Sequence, residues 1–335
     1  MITTTNRHVR RRLAVAGAVV GIAASALAAS GQAAAADTAS VANDTLTVSA
    51  GSGADRVALR LQAATPGQLQ VDFGDDGTAE HTFDRSTFSR IAVALGSGND
   101  TFRVDQVNGA FADEALTVDG GSGNDVMDGG DGSERFVGAS GNDAVDGNRG
   151  DDRGELGSGN DSFRWDPGDG SDVVEGASGT DTLDFNGAGA AENMSLSANG
   201  ARTLFLRDVA NIRMDMDDVE RLDLTALGGA DTMVVRDMSG TDFRLAAIDL
   251  SGPAGGGDLA VDVVTVEGTG RADRIDVTTD ASAVTVDGLP TTTRITGSEA
   301  TDRLQVNGLA GDDTIDVAPD VATRIQTVVD LGADD

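Results

Sequence analysis

The sequence predicts an all-β protein: a parallel β-roll or β-helix solenoid of nine-residue repeats, flanked by irregular β-rich, solenoid-like segments. Three observations predict this fold class. Nonamers with glycine-rich first halves fill the middle of the chain, and apolar and polar residues alternate in short runs on both sides of them. No convincing stretch of helical periodicity follows residue 36. Such repeats bury their apolar residues only by stacking on one another.

Residues 1–36 predict a secretory signal peptide. Four arginines between Arg7 and Arg12 form a basic region, residues 13–29 are apolar, and alanines at 34–36 offer a cleavage site. This order of regions favours a signal peptide over a membrane anchor, and the general secretory and twin-arginine routes both stay open. No second stretch approaches the length of a membrane span. We therefore expect a secreted, extracellular protein, either released or held non-covalently at the cell surface.

The composition excludes several classes of function. The chain has 56 acidic and 24 basic residues, all of the latter Arg, for a net charge of -32, and it has no Cys. Disulfides, thiolate metal sites and cysteine nucleophiles are excluded. Nucleic acid is not expected as a partner, because phosphate binding needs a basic surface. Only 3% of residues are aromatic, so stacking grooves for sugars or bases are not expected. A chain this acidic favours cations.

The repeat pattern divides the rest of the chain into three parts. Residues 37–119 form an N-terminal β-rich flank with degenerate repeats, 120–184 form the nonapeptide block, and 185–335 form a C-terminal β-rich region with degenerate repeats. Runs such as RVALRLQ at 56–62 and RTLFLRDV at 202–209 alternate as strands do. We expect the solenoid to continue through the flanks in wider, less regular coils.

Each nonamer has two halves. The block reads GGSGNDVMD, GGDGSERFV, GASGNDAVD, GNRGDDRGE and LGSGNDSFR, then, after a two-residue interruption at Trp165 and Asp166, PGDGSDVVE and GASGTDTLD. The first six residues predict a tight turn, since Gly takes positive φ at little cost. The last three predict a short strand with one inward apolar side chain. Two nonamers then make one coil of a roll.

Stacking predicts which acids share a side of the roll. Asp125, Asp143 and Asp161 are spaced by 18, and Asp181 follows after the two-residue shift. The opposite side carries Glu134, Asp152 and Asp172. This second side is the poorer one, because Glu134 is longer than Asp and Gly154 gives the core no side chain. We therefore expect the two sides to differ in ion affinity.

These turns offer the ligands that calcium requires. Ca²⁺ takes six to eight oxygens from carboxylates and carbonyls, whereas Mg²⁺ demands strict octahedral geometry and Zn²⁺ prefers nitrogen and sulfur. Without a cation, the carboxylates would stack roughly 5 Å apart and their repulsion would oppose folding. We therefore expect several Ca²⁺ ions, coupled to folding.

The block resembles the hemolysin-type (RTX) calcium-binding repeat GGxGxDxUx, strongly at 120–146 and 156–184 and weakly at 147–155. The resemblance implies that calcium lies between adjacent coils, held by the sixth-position Asp and by turn carbonyls. Asp100, in LGSGNDTFR, also fits the motif but precedes Asp125 by 25 residues without an adjoining turn. The flanks resemble secreted calcium-binding repeat proteins of high-GC bacteria. The metal residues implied are Asp125, Asp143, Asp161, Asp181, Asp152, Asp172 and Asp100, with Gly121, Gly123, Gly141, Gly157 and Gly159 in the turns.

Three functions stay open. The first is a secreted calcium-binding β-roll with a structural or surface-interaction role. The second is a calcium-dependent, polysaccharide-acting β-helix enzyme, which the scarce aromatic residues and the absence of Lys and Tyr disfavour. The third is an adhesion or matrix protein with a cell-surface polymer as partner. We favour the first and expect no enzyme. The oligomeric state is left open.

Overall fold

Two fourteen-stranded sheets face each other, and the chain passes back and forth between them from Thr38 to Asp330. The structure, a computed structural model, describes residues 37–333, so the predicted signal peptide at 1–36 lies outside the described residues. Within 37–333 the only helical segments are 3-10 turns, at Arg85–Thr87, Val209–Asn211 and Val321–Thr323. No helix in this range is long and apolar enough to span a bilayer.

The strands are short, and most have three to seven residues. In chain order they are β1 Thr38–Ala42, β2 Thr45–Ser49, β3 Arg56–Gln62, β4 Thr65–Phe73, β5 His81–Asp84, β6 Arg90–Ala94, β7 Thr101–Asp105, β8 Ala115–Asp119, β9 Val126–Asp128, β10 Arg135–Val137, β11 Ala144–Asp146, β12 Arg153–Gly159, β13 Ser162–Trp165, β14 Val173–Gly179, β15 Thr182–Asn186, β16 Asn193–Asn199, β17 Arg202–Arg207, β18 Ile212–Asp217, β19 Arg221–Thr225, β20 Thr232–Val235, β21 Leu245–Asp249, β22 Val263–Glu267, β23 Arg274–Thr279, β24 Ala283–Asp287, β25 Thr292–Thr296, β26 Arg303–Asn307, β27 Thr314–Val317 and β28 Gln326–Asp330.

The central strands confirm the predicted parallel solenoid. From β6 to β15 successive strands alternate between the sheets, and each pairs in parallel with the next strand of its own sheet. In this range the first sheet contains the even-numbered strands from β6 to β14, and the second contains the odd-numbered strands from β7 to β15. The register in the second sheet places Met127 beside Val145, and Val145 beside Phe163. These are the apolar residues that the nonamer pattern directs inward, and all three are buried.

Antiparallel meanders widen the coils outside the block. The triplets β3–β4–β5, β16–β17–β18 and β23–β24–β25 each fold back within one sheet before the chain crosses to the other. Both sheets run on through residues 119/120 and 184/185, since β8 pairs with β6 and β10, and β15 pairs with β13 and β19. The predicted boundaries therefore separate sequence patterns within continuous sheets.

The core tolerates the one nonamer that lacks an inward side chain. Gly154 lies between Phe136 and Val174 in the first sheet. A Cβ built on Gly154 would lie 2.9 Å from Cδ2 of Phe163, so the phenyl ring from the opposite sheet already fills that space. The bulky residue on one sheet thus compensates for the missing one on the other, which keeps the interior close-packed.

The turns stack backbone against backbone. Ser97, Ser122, Ser140 and Ser158 form a line of parallel bridges, so the turns themselves make a narrow third ladder. Gly123, Gly141 and Gly159, each at the fourth position of its nonamer, have positive φ, and a Cβ built on Gly141 would lie 1.7 Å from the carbonyl oxygen of Gly123 in the coil before. A Cβ built on Gly123 would lie 1.5 Å from the carbonyl oxygen of Gly98, and one built on Gly159 would lie 1.7 Å from that of Gly141. Only glycine permits this spacing between coils.

We expect Gly141→Ala to destabilise the protein much more than Gly168→Ala. The two glycines have nearly the same φ, +127° and +126°, but a Cβ on Gly168 meets no atom within 4 Å. The control therefore measures only the cost of the left-handed backbone, about 1–2 kcal/mol, while Gly141→Ala must also separate two coils. Urea unfolding at fixed calcium concentration measures both. Equal losses would show that the close contact between coils is unimportant.

Candidate metal-binding turns

A ladder of carboxylates runs along one side of the solenoid, at the residues that precede seven strands of the second sheet: β3, β7, β9, β11, β13, β15 and β19. From Asp100 onward, one carboxylate oxygen of each acid accepts a hydrogen bond from the backbone amide of the acid one coil earlier. The amides of Asp125 and Asp143 donate to Oδ1 of Asp143 and Asp161 at 2.8 and 2.7 Å. The first row comprises Asp55, Asp100, Asp125, Asp143, Asp161, Asp181 and Glu220.

The neighbouring position carries a second ladder that points the other way. The amide of Asn142 donates to Oδ1 of Asn124 in the coil before, and the amide of Asn160 donates to Oδ1 of Asn142, both at 2.8 Å. Asn99 begins this line, and the amide of Thr180 ends it by donating to Asn160. Each turn is therefore tied to the coil before it and the coil after it by side chains as well as by backbone.

The opposite side of the solenoid carries a second row. The amides of Glu134 and Asp152 donate to Oδ1 of Asp152 and Asp172, at 2.7 and 2.8 Å. The same relation occurs again, after the block, among the residues that precede β16, β20, β22 and β26 in the first sheet. These residues are Glu192, Asp231, Asp262 and Asp302.

Most of these aspartates hold a second oxygen with nothing to bind it. Asp143, for example, is only 2% exposed, and its Oδ2 lies inside its own turn, where a Cβ on the first glycine, Gly138, would come within 2.5 Å of it. A buried acceptor without a partner is costly, the more so when it carries charge. Among residues 37–333, Oδ2 is buried and accepts no hydrogen bond in Asp100, Asp125, Asp143, Asp161, Asp181, Asp152 and Asp231.

Burial makes the ionised form of these carboxyls unfavourable. Loss of solvent is the largest cause, and it raises the pKa of Asp143 to about 7, that of Asp152 to about 9 and that of Asp181 to about 6. Neighbouring acids of the row raise these pKa values further, against the lowering effect of the amide hydrogen bonds. Burial also raises the pKa of Asp172, to about 7. In both rows, therefore, the buried carboxylates need either a proton or a cation to neutralise their charge.

Other turns of the two rows leave no orphaned carboxylate oxygen. Glu134 reaches back to the amide of Gly130, at 3.0 Å from Oε2. Glu192 accepts from the amide of Ala188 and forms a buried ion pair with Arg207. We call these closed turns, and we call turns with an orphaned Oδ2 open turns. The first row has five consecutive open turns, from Asp100 to Asp181, whereas the second has one within the block, at Asp152.

The open turns fit a cation that binds oxygen. Each offers a buried carboxylate oxygen, and the carbonyls of Gly123 and Gly141 accept no backbone hydrogen bond among the described residues. No three side chains of His, Cys, Asp or Glu converge anywhere within 37–333. The remaining ligands must therefore be backbone carbonyls and water, which suits Ca²⁺ better than Zn²⁺.

The structure places all seven predicted aspartates in the two rows. Asp100 is joined to its neighbour despite the spacing of 25 residues, because its amide donates to Oδ1 of Asp125 at 2.8 Å. Sequence reasoning did not assign Asp55 and Glu220 to the first row, or the asparagine ladder. The recurring GND triplet could have revealed the asparagine ladder. The isolated nonamer AGSGADRVA at 50–58 could have revealed Asp55. Nothing local to Glu220 signalled its place, because the spacing of 39 residues to Asp181 is set by the meander of β16–β18.

Comparison with known families identifies the block. Residues 117–133, 128–163 and 168–187 match the RTX calcium-binding nonapeptide repeat in four copies. The gap at 164–167 contains the predicted two-residue interruption at Trp165 and Asp166. No curated protein matches the chain. The block thus consists of hemolysin-type calcium-binding repeats, as the motif predicts.

We expect Asp143→Asn to lower the number of calcium ions bound, and Glu134→Gln to leave it unchanged. The amide oxygen of Asn can keep the hydrogen bond from Asp125, so the first change removes charge while preserving the ladder. Glu134 is the matched control because it holds the same position in a closed turn. Titration calorimetry counts the ions. An equal loss in both variants would contradict the division into open and closed turns.

Stability in chelator is expected to fall as pH rises from about 5 to about 9. Asp143, with its pKa raised to about 7, and Asp152, with its pKa raised to about 9, stay protonated in the folded state at pH values where the unfolded chain has already ionised. The folded state then binds more protons than the unfolded state, so the free energy of unfolding decreases with pH. Carboxylates with a lowered pKa, such as Asp75 beside Arg103, titrate below this range.

Saturating calcium should remove this decrease, because the cation replaces the proton. Urea unfolding at several pH values, with EDTA or with calcium, measures both effects. A metal-free protein whose stability is constant or rises over this range would contradict the assignment.

Proposed function

We propose that this chain, which carries RTX calcium-binding repeats within a β-solenoid, is an exported protein whose open turns each hold calcium, and that calcium determines whether the block of open turns is folded. The observation that carries the proposal is the first row: five consecutive buried Oδ2 atoms, from Asp100 to Asp181, without a hydrogen-bond donor. In RTX repeats such positions take calcium. The proposed ligands are these five aspartates and Asp152, with carbonyls of the glycine turns.

The number of open turns supports coupling between calcium and folding. Extracellular calcium modules bind with a Kd of about 10⁻⁴–10⁻³ M. At about 1 mM free calcium and a Kd of about 10⁻⁴ M, each ion stabilises the folded state by about 1.4 kcal/mol. Five such turns contribute about 7 kcal/mol, which is comparable to the whole stability of a typical domain. Loss of calcium would then unfold the repeats.

The proposed export and role of the protein both follow from its need for calcium. A protein that depends on Kd values near 10⁻⁴ M must work where calcium approaches millimolar concentrations, as it does outside the cell. The basic and apolar regions within 1–36 supply the export signal in this proposal. We propose a structural or surface-interaction role rather than catalysis, since the row acids are committed to the ladder that joins the coils. A cell-surface polymer as partner remains a prediction from the sequence.

A calcium titration of the exported form tests the proposal. Starting from chelator near pH 8, where the metal-free row is less stable than at lower pH, far-UV circular dichroism should show a transition from coil to β-structure between sub-millimolar and millimolar calcium. Magnesium at the same concentrations should not reproduce it, because Mg²⁺ requires strict octahedral geometry and retains its water ligands. Calorimetry should show heat of binding over the same range. A spectrum already rich in β-structure in chelator, without heat of binding, would refute the proposal.

A further inference from the structure

One open turn lies well outside the RTX repeats. Asp231 is 2% exposed, its Oδ1 accepts a hydrogen bond from the amide of Glu192 at 2.9 Å, and its Oδ2 is buried without a partner among the described residues. The family match ends at residue 187. The buried, unpartnered oxygen is therefore a feature that the repeat assignment does not account for.

The backbone around Asp231 forms a turn of the same kind as those in the block. Gly228 and Gly229 have φ of +101° and +120°. A Cβ on Gly229 would lie 2.6 Å from the carbonyl oxygen of Ala190 in the preceding coil, so this turn also stacks backbone against backbone. The residues 226–231 read ALGGAD, which keeps the sixth-position Asp but loses enough of the motif to escape the family pattern.

A second carboxylate enters this turn from the following coil. Oδ2 of Asp258 accepts a hydrogen bond from the amide of Gly229 at 2.8 Å, and its Oδ1 accepts from the amide of Ala260 at 2.9 Å. A Cβ on Gly228 would lie 3.0 Å from Oδ2 of Asp258. Asp258 is thus fixed against the turn that buries the free oxygen of Asp231. Repeats of the block contain no counterpart to this residue, which comes from the long loop between β21 and β22.

Carboxylates are the charged groups that act most strongly on Asp231, and they belong to Asp262, Glu192 and Asp258. The nearby Arg207 forms a buried ion pair with Glu192. In the next turns of this row, Oδ2 of Asp302 is satisfied by the amide of Glu299 at 2.6 Å. In the second row after residue 187, an orphaned Oδ2 therefore occurs at Asp231.

We propose that Asp231 and Asp258 form a calcium site between the turns at 226–231 and 258–262, separate from the RTX repeats. The ligands are Oδ2 of Asp231, the carboxylate of Asp258, and carbonyl and water oxygens, since no three acidic side chains converge within 37–333. The proposal rests on the proposed function for the identity of the cation. It extends calcium binding to the C-terminal region, where a loop rather than a second nonamer completes the site.

Hydrogen exchange of the full chain, compared in chelator, calcium and magnesium, locates the site. Calcium, but not magnesium, should slow exchange at the amides of 227–231 and 258–262 by about tenfold or more, as closure of a local opening does. Asp231→Asn and Asp258→Asn should each abolish this local protection and lower the calcium stoichiometry by one ion, while residues 120–184 keep theirs. Asp258→Asn serves if Asp231→Asn fails to fold, because Asp258 lies in a half-exposed loop.

The controls separate this site from the repeats. Asp312→Asn removes the same charge from an exposed position and should leave protection at both places unchanged. Asp143→Asn should lower the stoichiometry while leaving protection at 227–231 intact. Protection at 120–184 without protection at 227–231 would refute the second site and leave the proposed function standing. Absence of protection at both would refute both.

Discussion

Burial of carboxylates in stacked turns is the constraint on which the rest of this structure depends. A solenoid coil that turns within six residues must bring its turn against the next at the spacing of hydrogen-bonded strands, roughly 5 Å. A carboxylate at the end of every turn then faces another on each side, out of contact with water. Asp125, Asp143 and Asp161 are each 2% exposed or less. Each buried charge must be neutralised, or the coils cannot close on one another.

The hydrogen-bond ladders explain why an acid recurs in successive coils of each row. One oxygen of each carboxylate ties its turn to the amide of the coil before, and the asparagine ladder ties the same turns in the opposite direction. These bonds hold the other oxygen inside the turn, where solvent cannot reach it. The feature that joins the coils thus also creates the unsatisfied acceptor. The same side chain therefore joins neighbouring coils and creates the need for a cation.

Much of this arrangement could be predicted from the sequence, because the nonamer makes structure and chemistry local. The turn, the inward apolar residue and the alignment of acids 18 apart all follow from a repeat of nine. What escaped prediction depends on contacts distant in sequence. Asp100 joins Asp125 across 25 residues, and Glu220 joins Asp181 across 39, because antiparallel meanders and longer loops return the chain to register. No local sequence pattern predicts how many residues such a meander or loop contains. The filling of the gap at Gly154 by Phe163 is likewise a contact between sheets.

The different ways in which the two rows neutralise their acids indicate where an external ion is needed. At Glu192 the guanidinium of Arg207 supplies the positive charge, itself positioned 5.0 Å above the ring of Trp165. At Glu134 and Asp302, amides of the same turn take up the second oxygen. An amide of the same turn or a nearby arginine thus satisfies the second oxygen without a metal ion. The five consecutive open turns have neither, so their stability must depend on the medium. A solenoid with internally neutralised coils at intervals would keep part of its fold without calcium, while the block between Asp100 and Asp181 responds to it.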